Sequence, residues 1–137
     1  MREGWYDEEY LILFAEAEVP ASSESYGIRD ALPGFSVIGL RGWDDFIVRD
    51  PNGGIFSLPT VPLDAKYLAS FDMPTEESIL EQDSRFAGKI KWYVTPVVFG
   101  GDPAIGENLI WISHERHARL VRWWNAMYWR VTGRRNL

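Results

Sequence analysis

The segment that decides the fold is GKIKWYVTPVVFGGDPAIGENLIWISHERHARLVRWWNAMYWRVTGRRNL, residues 88–137. It contains two apolar runs, residues 92–99 and 109–112, which are rich in β-branched and aromatic side chains. Runs of this composition favour strands, and the Gly-Gly-Asp-Pro between them favours a loop. The predicted order is therefore strand, loop, strand and then a long helix.

The helix has recognisable ends. Ser113 can cap it by accepting from free N–H groups of the first turn, and Glu115 lies near the positive end of the helix dipole. Gly133 can provide a left-handed terminal residue, with Arg130, Arg134 and Arg135 near the negative end. Spacings of three and four predict one buried face that packs on a sheet. The residues on that face are His117, Leu120, Val121, Trp124, Met127, Tyr128 and Val131.

The opposite face of the helix carries Arg116, Arg119, Arg122 and Trp123. Tryptophan and arginine are enriched at interface hot spots, so the last three are candidate contacts with a partner. Packing of the indole on the core or on arginine stems is the alternative explanation. Among the other tryptophans, Trp92, Trp111 and Trp124 fit core positions. The remaining four are harder to bury together in so small a domain: Trp5, Trp43, Trp123 and Trp129.

Length and composition limit the class of protein. The chain has 137 residues and no Pro/Gly/Ser-rich linker, so one domain over residues 1–137 is expected. The absence of cysteine excludes disulfides, thiolate metal sites and cysteine nucleophiles. The first residues lack an apolar signal core, and no apolar run approaches the ~20 residues of a membrane span. We therefore expect a cytoplasmic protein that does not enter a membrane.

Charge is unevenly distributed along the chain. Residues 113–137 hold six arginines and one glutamate, whereas residues 1–112 hold eight basic and nineteen acidic residues, for a total of −6. An acidic body argues against a nucleic-acid partner, because phosphate binding depends on Lys and Arg. It favours a basic protein partner, although a solvated surface that maintains solubility explains the same composition.

Short elements are predicted before residue 88. Residues 10–14 are predicted to form a strand that continues through the alternating residues 15–18, and a helix start is the alternative because acidic residues precede them. Strands are also expected at 35–40, 45–50 and 55–58, with a tight turn at 50–54 that makes the last two an antiparallel hairpin in a meander. Ser22 or Ser23 can cap a short helix over 21–31, and Pro33-Gly34 can end it. Asp64 and Thr75 can cap helices over 64–71 and 75–83, the second opening with Glu76 and Glu77.

The predicted class is α+β. We expect a single domain with a mainly antiparallel, twisted sheet, covered on one face by the long C-terminal helix and accompanied by short helices.

Several of these segments together resemble the SMI1/KNR4 (SUKH) superfamily. The resemblance comprises the Pro-Gly-aromatic lead-in at 32–35, a strand ending in Ile-Gly at 38–39, the small turn at Gly42, a strand ending at Asp50 and the exit at 57–59. It covers residues 10–70, about half of the chain. The family's opening helix and its Leu-Pro-x-x-Tyr segment are not evident, and the Trp-rich ending is not a general family feature.

The resemblance implies a binding function. Bacterial members of the superfamily are regarded as immunity proteins, which bind and neutralise a cognate toxin, and fungal members as regulatory binding proteins. Neither role uses a catalytic centre. The implied partner is a cognate protein toxin, and the protein would act as a monomer or a homodimer.

The residues themselves do not form a recognised reaction centre. His114 and His117 are the only histidines, and their spacing is one residue shorter than the metalloprotease pattern, so we predict no metal even if Asp102 or Glu107 lies near. Ser113 lies outside any Gly-x-Ser-x-Gly elbow. Asp44 and Asp45 are expected to point to opposite faces of a strand. The glycine pairs lack the phosphate-loop pattern, and we predict no cofactor and no enzyme activity.

The partner surface is therefore predicted to combine acidic, aromatic and basic side chains. The candidate residues are Asp7, Glu8, Glu9, Trp43, Asp44, Asp45, Arg119, Arg122 and Trp123. Two other hypotheses stay open: a small ligand-binding protein or enzyme with its site near Trp92, His114 and His117, and a regulatory adaptor that includes a homodimer formed through the Trp/Arg helix.

Overall fold

A six-stranded antiparallel sheet forms the centre of the structure, a computed structural model that describes residues 1–75, 77–104 and 106–133. The strands are adjacent in chain order: β1 (Arg2–Tyr6), β2 (Glu9–Leu13), β3 (Ser36–Arg41), β4 (Asp45–Arg49), β5 (Ile55–Pro59) and β6 (Ala69–Ser70). A second antiparallel sheet pairs β7 (Ile90–Tyr93) with β8 (Leu109–Ile112). The helices are α1 (Val19–Tyr26) and α2 (His114–Val131), and short 3₁₀ turns lie at Glu16–Glu18, Ile28–Asp30, Ala65–Tyr67 and Val97–Phe99. The α+β class and the meander are confirmed.

The main sheet is buried on both faces. Tyr10 and Ile12 of β2 lie in the core that also contains residues of α1 and α2. Leu11 and Leu13 lie on the opposite face, in a smaller core covered by the 71–80 segment. Alternate residues of a strand point to opposite faces, so a strand covered on both sides reads as a continuous apolar run.

The β4–β5 turn follows local chemistry. The Asp50 Oδ1 atom accepts hydrogen bonds from the backbone N–H groups of Asn52 (2.9 Å) and Gly54 (2.7 Å). Gly53 has a φ of 88°, a conformation in which glycine carries no steric penalty. The predicted hairpin is confirmed.

Both ends of α2 are confirmed, but its buried face is rotated from the prediction. The Ser113 hydroxyl accepts from the Arg116 N–H (3.2 Å), and Gly133 follows the helix with a φ of 77°. Arg134 and Arg135 lie outside the described residues. Val131, predicted to be buried, is 69% exposed. The buried residues are His117, Ala118, Val121, Asn125 and Trp129.

The rotation of that face has a polar cause. Asn125 and Trp129 are buried because their side chains form hydrogen bonds with the backbone of residues 60–63. A prediction based only on apolar residues omits Asn125, so the predicted buried face is rotated about the helix axis relative to the observed face. Of the four tryptophans predicted to be hard to bury together, Trp129 is 6% exposed and Trp123 is 54% exposed.

The first predicted helix is shifted. α1 begins at Val19 with Pro20 in its first turn and ends at Gly27, whose φ is 67°. The alternating residues 15–18, predicted to continue the strand, instead include a 3₁₀ turn. The Ser23 hydroxyl does not cap the helix, because it accepts a hydrogen bond from the Val37 N–H (2.8 Å) and so ties α1 to β3.

The helices predicted over 64–71 and 75–83 are wrong. Asp64 does cap, accepting from the Lys66 N–H (3.1 Å), but the helix ends after Ala65–Tyr67 because the following residues pair with β5 as β6. Thr75 exchanges a hydrogen bond with the Ser78 hydroxyl (3.0 Å) and caps nothing. The backbone of residue 81 pairs with that of residue 5 on the edge of β1, which requires extended chain. Glu76 lies outside the described residues.

The strand predicted over 92–99 is shorter and begins earlier. β7 ends at Tyr93, and the Asn108 side chain then binds both the N–H (2.8 Å) and the carbonyl (3.0 Å) of Thr95. Pro96 has no N–H to donate, so the chain leaves the ladder and forms the Val97–Phe99 turn. β1 was not predicted at all.

Candidate functional site

The two predicted acidic segments lie at the same end of the main sheet. In an antiparallel meander the β1–β2 and β3–β4 turns emerge on the same side, which brings Asp7 and Glu8 to the end that carries Asp44. Glu9 is less available than predicted, because its carboxylate forms a bidentate salt bridge with Arg41. This hydrogen bonding lowers the pKa of Glu9. Asp7 and Glu8 are exposed.

A cleft of about 230 Å³ opens beside the β3–β4 turn. Its walls come from three parts of the chain: the turn itself, the loop after β5 and the segment after β7. Trp43, Trp92 and Tyr93 provide aromatic surface, and both Asp44 and Asp45 line the cleft. Asp44 precedes β4 and belongs to the turn, whereas Asp45 is the first residue of the strand, so the two are not neighbours within one strand as predicted.

The charges of the cleft are unequally paired. The Lys91 ammonium lies 2.8 Å from the Asp44 carboxylate, a contact that opposes the rise which burial causes in the pKa of Asp44. Asp45 has no hydrogen-bond donor or salt-bridge partner in residues 1–75, 77–104 and 106–133. Burial, and next the charge of Asp44, raise the pKa of Asp45. The Asp45 carboxylate is therefore without an ion-pair partner among the described residues.

Trp43 holds the turn in an unusual conformation. Its φ is 64°, in the left-handed region that a bulky residue rarely adopts. The indole stacks on Tyr10, with ring centroids 5.0 Å apart, and meets Trp111 edge-on at 5.1 Å. Trp5 and Phe86 complete this aromatic cluster. Its packing stabilises the strained residue and so places the two aspartates that follow it.

The other three predicted residues lie on α2. Trp123 is 54% exposed and contacts Trp124 edge-on at 4.8 Å. Arg119 forms an exposed pair with Glu115 (3.3 Å), a kind of contact that contributes at most about 1 kcal/mol. Arg122 lies against Gly27 at the end of α1. None of the three lines the cleft.

The Val97–Phe99 turn connects the cleft with α2. Val97 lines the cleft, and the Phe99 ring lies 4.9 Å from that of Trp124, which in turn contacts Trp123. Val97 and Val98 are nearly half exposed, at 47% and 45%. Residues 97–99, 123 and 124 form what we call the apolar strip. Sequence reasoning missed it, since it assigned residues 97–99 to a strand.

The histidines occupy a different environment. His117 is 0% exposed, its Nδ1 atom lies 2.7 Å from the Tyr26 hydroxyl, and its ring meets Trp92 at 5.3 Å. Tyr26 and Trp92 therefore pack around the imidazole, which does not line the cleft. Across the described parts of the chain, no group of three or more His, Asp or Glu side chains is arranged to hold a metal ion.

Burial makes His117 a source of acid sensitivity. It lowers the pKa of His117 to about 3, so the unfolded chain binds a proton there at higher pH than the folded protein does. Stability from this residue is complete above about pH 6.5 and falls as the pH drops, by up to about 1.4 kcal/mol per pH unit. Urea unfolding at pH 7, 6 and 5 should show that the free energy of unfolding falls less steeply with decreasing pH in His117→Gln than in the wild type.

The matched control is His114→Gln, because His114 is only partly buried. The pH dependence of its free energy of unfolding should stay closer to that of the wild type. Equal slopes for the wild type and His117→Gln would contradict the assignment of the acid sensitivity to the Tyr26–His117 pair.

No protein-family model, curated protein or solved structure matches this chain. The resemblance to the SMI1/KNR4 superfamily therefore depends on the motifs of residues 10–70 alone. No helix in the described ranges combines the length and apolarity needed to cross a bilayer.

Proposed function

We propose that this protein is a cytoplasmic immunity-type protein that binds a cognate protein toxin and neutralises it by occlusion, without catalysis. The observation that carries the proposal is the cleft with Asp45, which has no ion-pair partner among the described residues, together with the apolar strip that begins beside it. Exposed acidic residues of the β1–β2 turn lie at the same end of the sheet. The motifs that resemble the SMI1/KNR4 superfamily support the same function.

The surface has the composition of a binding site for a basic protein. Apolar and aromatic side chains at the centre of an interface supply most of the binding energy, and Trp123 with the adjacent strip can fill that role. Acidic residues at the rim increase the rate of encounter with a basic partner. Occlusion needs only this complementarity, since it involves no reaction step.

Co-expression tests the proposal. The polypeptide encoded immediately upstream of this protein should arrest growth of a heterologous host, and the wild-type protein should relieve the arrest. Asp45→Lys should abolish relief and weaken binding of that polypeptide by about 30-fold or more, because it places a positive charge where the partner's cation binds.

Glu107→Lys is the matched control. Glu107 is exposed and undergoes the same change of charge, so relief and affinity should be retained. Circular dichroism should show that both variants are folded. An upstream product that is harmless, or that the wild-type protein does not bind, would contradict the proposed function.

A further inference from the structure

We infer that the cleft beside the β3–β4 turn binds one arginine side chain presented by the partner protein. The inference rests on the proposed function and names the chemistry of the contact. It concerns Asp44, Asp45, Trp43, Trp92 and Tyr93, which line the cleft.

The charges around the cleft favour a cationic ligand. Lys91 pairs with Asp44 at 2.8 Å, while Arg41 is held by Glu9 and also donates to the Ser57 hydroxyl at 3.2 Å. Both nearby cations are therefore engaged, and Asp45 has no ion-pair partner in the described part of the chain. A carboxylate that is partly removed from water without a partner is unfavourable, so a cationic group that enters the cleft offsets that cost.

The aromatic walls of the cleft favour a guanidinium group. The Lys91 ammonium lies 5.9 Å from the centre of the Trp43 ring and 5.1 Å from that of Tyr93, so these rings already contact a cation. A guanidinium is planar, weakly hydrated and able to bind a carboxylate through two N–H groups while its face stacks on an aromatic ring. Arginine therefore fits these walls better than lysine, whose compact ammonium retains more water.

The cleft has the size of a single side chain. A volume of about 230 Å³ holds roughly seven water molecules and lies below the ~300–1,000 Å³ of pockets that enclose small-molecule ligands. One long side chain fills such a space, whereas a metabolite would remain largely exposed. The apolar strip begins at the cleft, with Val97, so residues that flank the arginine in the partner have an adjacent apolar surface.

The test uses N-acetyl-arginine amide as the probe and the full chain as the receptor. Titration followed by ¹H–¹⁵N NMR should shift the indole N–H resonances of Trp43 and Trp92 with a Kd in the millimolar range, as expected for one side chain. N-acetyl-citrulline amide, which is neutral and nearly isosteric, should bind at least 10-fold more weakly.

Two variants locate the binding. Asp45→Asn should lose at least 10-fold in affinity for the arginine probe, and it should fold because the Asp45 carboxylate accepts no hydrogen bond from the described residues. Glu107→Gln removes an exposed carboxylate elsewhere and should leave the affinity unchanged. Equal binding of the arginine and citrulline probes, or unchanged affinity in Asp45→Asn, would overturn the inference.

The outcomes separate this inference from the proposed function. Neutralisation of the upstream toxin by a protein whose cleft does not bind the arginine probe overturns the inference and leaves the function intact. Binding of the probe in the cleft, combined with failure to neutralise, supports the arginine site and removes the immunity function.

Discussion

Replacing Gly39 with alanine is expected to lower the free energy of unfolding by about 3 kcal/mol, the upper part of the range for overpacking a core. A Cβ atom at Gly39 would lie 2.4 Å from the carbonyl oxygen of Ile12 and 3.2 Å from the side chain of Leu13. The closer atom belongs to the backbone of the adjacent strand, so a rotamer change does not relieve the overlap. Strand separation or a shift of register is required, and urea unfolding monitored by tryptophan fluorescence measures the loss.

Gly106→Ala is the matched control for Gly39. A Cβ atom at Gly106 meets nothing within 4 Å, so its effect should stay within about 0.5 kcal/mol. Equal stability of the two variants would show that β2 and β3 do not pair as described. The result also bears on the Ile-Gly motif, because it gives the glycine of that motif a steric function.

The second large effect is expected for Asn125→Leu. Asn125 is 1% exposed, its Oδ1 atom accepts from the Leu63 N–H (2.8 Å), and its Nδ2 donates to the Thr60 carbonyl (2.8 Å). Leucine has nearly the same size but leaves both buried backbone groups without a partner, at about 1–3 kcal/mol each. We therefore expect a loss of about 2–6 kcal/mol in the free energy of unfolding.

The same variant should affect the cleft. Thr60 lines the cleft, and its backbone is held by Asn125, so this wall loses an anchor when the amide is removed. In the fraction that remains folded, affinity for N-acetyl-arginine amide should fall as well. Asn52→Leu, in an exposed turn, is the control and should change neither stability nor affinity appreciably. An Asn125→Leu protein as stable as the wild type would contradict the described link between α2 and the 60–63 loop.

Local chemistry explains which predictions succeeded. The turn at 50–54 and the cap at Ser113 are each specified by residues within four positions of one another, and both formed as predicted. The helices over 64–71 and 75–83 had similar caps, at Asp64 and Thr75. They failed because distant strands compete for the same backbone groups: β5 for one segment and β1 for the other.

The candidate site was predictable only in part. Three adjacent residues of the cleft were predicted as partner-binding residues on the basis of their residue types: Trp43, Asp44 and Asp45. That both residues line one cleft was not predictable from adjacent positions, because the cleft is assembled from parts of the chain that are distant in sequence. Asn125 gave no signal, since a single polar residue on a helix is ordinarily exposed.

By itself, the sequence determined the α+β class, the meander, the ends of the last helix and the acidic character of the body, because each depends on composition or on contacts between near neighbours. Only the tertiary structure decided where those parts meet. The aromatic cluster joins Tyr10, Trp43, Phe86 and Trp111 across about a hundred positions of the chain. It forms the end of the sheet on which the cleft lies. Burial of aromatic surface is non-directional, so no spacing along the chain specifies which rings pack together.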